Sequence, residues 1–200
     1  MKTYLILCLG ALFFLFACHE DTIVPDKTVK SDQTNVLLRS YTAPADVLEG
    51  LPAEAAHENG MDVTREIIFQ PTTGIFYVTE SDECGEFGAS HQTIIEGEGI
   101  ATHIGHYGVL NYVCIAGPAN PVSAVGPWMG IITAANGDEI HTILVGMEPD
   151  MDNPPYATIN YLILGGTGRF LGATGSVDMY GFINFEDGTW SLSGTGEITY

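Results

Sequence analysis

The chain has 200 residues, 46% of them hydrophobic and 16% charged, which is enough for one domain with a sizeable core and excludes long disordered tracts over most of its length. Asp and Glu number 25 against 6 Lys and Arg, a formal net charge of −19. A nucleic-acid binder needs a basic footprint and this chain has none, so the charge reads as solubility through self-repulsion.

The N-terminal stretch "MKTYLILCLGALFFLFAC" carries Lys2 and then an apolar run from Leu5 to Ala17. A membrane span needs about 20 apolar residues, so this shorter run fits the apolar region of a secretory signal. It ends in Leu15-Phe16-Ala17-Cys18. That ending resembles the lipobox of bacterial lipoproteins, with an aliphatic residue three before the cysteine and a small residue just before it. The resemblance implies a signal peptide over 1–17, cleavage before Cys18, and acylation of that residue. One acyl chain holds a protein only marginally, so anchoring through several chains makes physical sense. The residues after the cysteine, "HEDT", are similar to acidic export tags that direct lipoproteins to the outer membrane, facing the periplasm or the surface.

Of the four cysteines, Cys8 leaves with the signal and Cys18 takes the lipid. Cys84 and Cys114 remain, an even pair in an oxidising compartment, and are either bonded to each other or two buried thiols. Residues 18–60 read as the lipidated N-terminus and a tether. The stretch 19–35 is flexible, and "NVLLRSYTAPADVLEGLPAE" either extends the tether or packs on the domain with a short helix.

From Arg65 the pattern changes to short β segments with turn signals between them, which places the domain over 61–200. "REIIFQ" and "GIFYVTE" flank "PTTG", a hairpin candidate. "HQTIIEGEGIATHIG" and "HYGVLNYVCI" follow, then "GPWMGIITAA". Asn136-Gly137 precedes "EIHTILVGM" and predicts a type I′ hairpin, whose two central positions both need positive φ. "YATINYLIL", "SVDMYGFINF" and "TWSLSGTGEITY" complete eight or nine strands. No segment after residue 61 has a helical period, so the domain is all-β, a barrel or a sandwich.

Consecutive hairpin-linked strands with internal glycines favour closure into a barrel. Several strands are apolar on both faces. In "EIHTILVGM", Ile140 and Leu144 share one face, and Ile143, Val145 and Met147 the other. In "SVDMYGFINF", Val177, Met179, Ile183 and Phe185 oppose Tyr180 and Phe182. Two apolar faces predict an outer wall covered by another subunit or by the N-terminal segment.

The stretch "YLILGGTGRFLGATGSV" invites a phosphate-cradle reading, which its details reject. A P-loop needs Lys and then Ser or Thr after the last glycine, and here Gly172 is followed by Ala173-Thr174. Gly166, Gly168 and Gly172 are spaced G-x-G-x-x-x-G, which mimics the turn of short-chain dehydrogenases. Such a turn must open a helix, yet the 28 residues after Gly172 contain five glycines and alternate like strands. The turn, with Gly165, Gly166, Gly168, Gly172 and Gly175, is therefore structural. It predicts a strand ending near Leu164, another beginning near Thr174, and Phe170 and Leu171 plugging one barrel end.

"ILGGTGRFLGATGSV" resembles the GGTG-x-F-x-G-A-x-G signature of the allene oxide cyclase and dirigent-like barrels. "GEGIATHIGHYG" and "ITAANGDEI" are similar to blocks of bacterial proteins with this kind of barrel, and the three occur in the expected order from Gly97 to Val177. The resemblance implies an eight-stranded antiparallel calycin-like β-barrel. It also implies trimeric assembly, and activities in plant relatives that cyclise a lipid epoxide or guide radical coupling. It carries no catalytic residue onto this chain.

Candidate chemistry in the residues is sparse. His103 and His106 are three apart and share a metal only if Gly105 breaks their strand; His91 and His141 are the other candidate ligands. Glu148, Asp150, Asp152 and Asn153 invite a calcium reading but lack the spacing of a calcium loop. Asp178 or Glu139, if directed into the barrel, would be an acid or base with a raised pKa. Arg169 pairs with such a carboxylate or caps the barrel end. No metal and no cofactor is expected.

The expected function is that of an envelope-anchored lipoprotein whose barrel binds a small apolar ligand or a protein partner, with a homo-oligomer, trimer or dimer, as a candidate assembly. The alternatives are a cyclase or isomerase acting on a hydrophobic substrate, or a structural trimerising module. An open cavity of a few hundred Å³ with convergent polar groups favours the binding and enzymatic readings. A filled barrel favours the structural one.

Overall fold

A computed structural model, which describes residues 41–43, 45, 49, 63–118 and 123–200, forms one nine-stranded sheet. The expected signal peptide, Cys18 and most of the tether lie outside the described residues. The strands are β1 (Tyr41–Thr42), β2 (Thr64–Glu80), β3 (His91–Ala101), β4 (Gly105–Ile115), β5 (Met129–Ala134), β6 (Glu139–Pro149), β7 (Tyr156–Gly166), β8 (Thr174–Asn184) and β9 (Thr189–Thr199).

From β2 to β9 each strand pairs antiparallel with the next, and β9 returns to β2, so eight strands close into an up-and-down barrel. Closure removes the exposed edges that an open sheet would present. The ninth strand, β1, pairs with β6 at Met147 and Gly146, just beyond the residues that β5 covers. Inward positions of the barrel carry the core, including Ile67, Val113, Ile140, Leu144, Ile159 and Ile198. Each such side chain, removed from water, contributes about 1.5–3 kcal/mol.

Three local expectations differ from the structure. "PTTG" is not a turn: β2 runs unbroken through it, with its pairing to both neighbours shifting register between Phe69 and Thr72 or Thr73. Pro71 falls in that gap, where its missing N–H removes no ladder hydrogen bond. The Asn136-Gly137 turn does join β5 to β6, but only Gly137 has positive φ, +88°. The Ala134 carbonyl accepts from Gly137 N at 2.8 Å, and Ala134 N donates to the Asp138 carbonyl, so a type I turn ends in a left-handed glycine rather than forming a type I′ turn. Finally, β6 shifts register between Leu144 and Gly146. One extra residue moves every later side chain to the other face, so Met147 points into the core instead of out beside Ile143.

The outer wall is apolar in places, and Ile143 is fully buried there. Tyr180 and Phe182 face outward under the loop before β7, where Tyr156 stacks on Tyr180 with ring centroids 5.5 Å apart. Two short 3-10 turns, Asp82–Phe87 and Gly168–Phe170, lie between strands, and Ala45 and Glu49 of the N-terminal segment are helical. A disulfide joins Cys84 in the first of them to Cys114 of β4, with both residues buried.

Candidate ligand-binding interior

One end of the barrel is sealed by the glycine turn. Gly168 and Gly172 adopt positive φ, +56° and +74°, which lets the chain fold back and drive Phe170 inward. Phe170 is fully buried, edge-on to Tyr200 at 5.4 Å between centroids. Arg169 lies over the Phe170 ring at 4.6 Å and donates from Nη2 to the Ile104 carbonyl at 3.1 Å. Its Nε sits 3.7 Å from Asp138, so it caps the barrel end rather than reaching the interior. Leu171, expected to share the plug, is 67% exposed: the 3-10 turn spends its one inward position on Phe170.

Beyond the plug the interior holds two neighbouring lobes of about 40 and about 50 Å³. Asn111, Tyr161, Trp190 and Leu192 line both and form the waist between them. The outer lobe reaches Phe76, Ile183 and Phe185, all half-buried, with the Phe76 and Phe185 rings 5.4 Å apart. The deep lobe contains Thr72, Tyr107 and Thr142, with Phe69, Val177 and Met179 among its apolar walls. The Thr72 and Tyr107 hydroxyls hydrogen-bond each other.

Two further polar groups are placed by strand register. Asn111 of β4 pairs with Gly130 of β5, and Gly130 pairs with Thr142 of β6, so the three form one row across the inner wall. A β-carbon at Gly130 would collide with both Asn111 Oδ1 and Thr142 Oγ1, so the glycine is what lets those side chains lean over the backbone between them. Asn111 is 5% exposed and Thr142 3%. Among the described residues no hydrogen bond is seen from either side chain, and both line the cavity, whose outer lobe is also lined by Trp128 with its Nε1 buried and without a partner. Leaving such a group unpaired in a folded core costs about 1–3 kcal/mol.

The cavity lining contains no Asp, Glu, Lys, Arg or His. Its ionisable groups are phenols. Burial raises the pKa of Tyr161 strongly, with the neighbouring Tyr107 adding to the effect. Burial raises that of Tyr107 as well, against a smaller lowering by the Thr72 hydrogen bond. Both phenols therefore stay protonated at neutral pH.

The carboxylates proposed from sequence face elsewhere. Asp178 is exposed and accepts from Asn160 Nδ2 at 2.7 Å, and Glu139 lies 3.0 Å from His141 Nε2 outside the cavity. His103 and His106 are exposed on either side of Gly105, where β4 begins. Asp150 caps its own loop, accepting from the backbone of Asp152 and Asn153 and from the Tyr180 hydroxyl at 2.7 Å. That phenol's hydrogen bond is the main reason the Asp150 carboxyl titrates below its ordinary range. Among the described residues no three His, Cys, Asp or Glu gather closely enough to hold a metal ion.

Sequence reasoning missed every residue of the waist. The available signal was a polar residue at an inward position of an otherwise apolar face, Asn111 in "HYGVLNYVCI" and Thr142 in "EIHTILVGM". Alternation identifies such a residue, but only register brings the two together.

No family model matches the chain, and no curated protein matches it. Among solved structures, that of the pterocarpan synthase dirigent protein GePTS1 is similar, at 10% identity and a TM-score of 0.46, over 72% of this chain and 88% of that one.

Proposed function

We propose that this protein is a lipid-anchored envelope barrel that binds a small apolar ligand in its interior. The observation that carries the reading is the apolar cavity with the Asn111 amide at its waist and the Thr142 hydroxyl beside it in the deep lobe, neither seen to make a hydrogen bond. A core selected for stability alone would replace Asn111 and Thr142 with apolar groups of similar shape, which removes the desolvation penalty. A bound molecule offsets that penalty by supplying the missing partner. The lobes are far smaller than the few hundred Å³ of an open binding barrel, so by volume alone the structural trimerising module stands as the second reading, and the ligand proposed here is a molecule of few heavy atoms.

Binding is favoured over cyclase or isomerase chemistry. Acid–base catalysis works best with a group whose pKa lies near the operating pH, and the cavity offers only phenols pushed upward by burial. The anchor rests on Lys2, the apolar run and Leu15-Phe16-Ala17-Cys18. Mass spectrometry of the mature N-terminus tests it: a chain beginning at an acylated Cys18 is expected, and an unmodified Cys18 or cleavage elsewhere refutes it.

The chain's two tryptophans, Trp128 and Trp190, both line the outer lobe, which makes fluorescence a direct probe of occupancy. Iodobenzene, an apolar heavy-atom quencher, is expected to quench them saturably in the native protein. Ile95 also lines the outer lobe, and the cavity-filling variant Ile95→Phe should lose the saturable phase. Quenching that rises linearly, as for free tryptophan, contradicts the reading.

A further inference from the structure

We infer that the ligand is an uncharged molecule with one neutral hydrogen-bonding group, a hydroxyl or carbonyl, on a compact apolar body, and that this group docks in the notch between Asn111 and Thr142. The inference rests on the binding reading above and narrows it to a chemical class.

The first argument is the missing counter-charge. No acidic or basic side chain lines either lobe. A carboxylate or ammonium drawn into such a lining loses its hydration and gains no opposite charge, which is far more costly than burying a neutral polar group. The rim does not rescue an anion either, because Phe185 is followed directly by Glu186 and Asp187. The second argument is the hydrogen-bonding capacity of the notch. The Asn111 amide offers both donors and an acceptor, and the Thr142 hydroxyl offers one of each kind. Either an alcohol or a carbonyl can satisfy them, whereas a pure hydrocarbon leaves both unpaired. A site built this way discriminates against the analogue that lacks the polar group. The third argument is direction. Of the other hydroxyls in the lining, Thr72 and Tyr107 bond each other in the deep lobe and Thr93 is partnered, which leaves Tyr161 beside the notch; Trp128, whose Nε1 is buried without a partner, lines the outer lobe, and the apolar body extends past Trp190 toward Phe76 and Phe185.

A matched set of probes tests this: cyclohexanol, cyclohexane, cyclohexanecarboxylate and cyclohexylammonium, each titrated into the full chain at neutral pH by calorimetry and tryptophan fluorescence. Cyclohexanol should bind about tenfold or more tighter than cyclohexane. Both ions should bind about a hundredfold more weakly than the alcohol. Asn111→Leu should bring the alcohol-to-hydrocarbon ratio close to one while cyclohexane still binds. Thr142→Val, which is nearly isosteric, reads the same ratio if the first variant does not fold. Either ion binding as tightly as the alcohol, equal binding of alcohol and hydrocarbon, or a ratio untouched by both substitutions overturns the inference while leaving the binding reading standing. If no member of the set binds the native protein, the binding reading falls and this inference falls with it.

Discussion

The Trp190 indole lies directly over Gly97: a β-carbon at position 97 would stand 2.5 Å from Cζ2 of the ring and 2.6 Å from the Thr73 carbonyl oxygen. The indole is held there by its Nε1, which donates to the Ile75 carbonyl at 3.2 Å. The waist of the cavity thus depends on a glycine of β3, two strands over from β9 in the barrel. Gly97→Ala should destabilise the protein by about 1–3 kcal/mol, because backbone on one side and a pinned ring on the other leave little room to yield. Denaturant melts measure this, and an unchanged midpoint would contradict the packing described.

The plug separates two adjacent residues by burial. Phe170→Ala removes a fully buried ring and should cost about 3–5 kcal/mol. Leu171→Ala removes a side chain that is 67% exposed and should stay within about 0.5 kcal/mol of the parent. Thermal unfolding of the pair provides the comparison, and similar losses at both positions would be incompatible with a single-residue plug.

The disulfide fastens the 82–87 turn to β4 across a sequence separation of 30. Loop-closure entropy for that length predicts a loss of about 3–4 kcal/mol when both cysteines are replaced by alanine or the bond is reduced. Chemical denaturation with and without reductant reads it directly. A midpoint insensitive to reductant would mean that the bond does not constrain the unfolded chain.

Alkaline pH should unfold the barrel through its phenols. Burial raises the folded pKa of Tyr107 and Tyr161 above the unfolded value of about 10. Above that pH the unfolded chain releases protons that the folded chain retains, so stability is fully present below about pH 10 and is lost as pH rises further. Phenolate absorbance should show two tyrosines that ionise only together with unfolding. In Tyr161→Phe the alkaline loss of stability should shrink, and an unaltered profile would count against its burial.

The strands were readable because alternation and turn residues are local signals. The β7–β8 turn is set by Gly168 and Gly172, whose positive φ few other residues tolerate. What escaped the sequence was non-local. Pro71 looked like a turn because its missing N–H usually ends a strand, and nothing nearby revealed that both neighbouring strands shift register there. Met147 appeared to face outward because simple alternation does not foresee the irregularity between Leu144 and Gly146. The cavity was hidden for the same reason: Asn111, Gly130 and Thr142 lie on three different strands and meet only through pairing. The small cavity has its own cause, since Trp190 and Leu192 fill the waist that an open barrel would leave empty.

Native mass spectrometry of the full chain, purified from its own host, tests the central claim most directly. The account predicts one small neutral organic molecule retained per chain, lost in the Ile95→Phe variant that fills the outer lobe. A native barrel that carries no such molecule, or one retained equally by that variant, would contradict it.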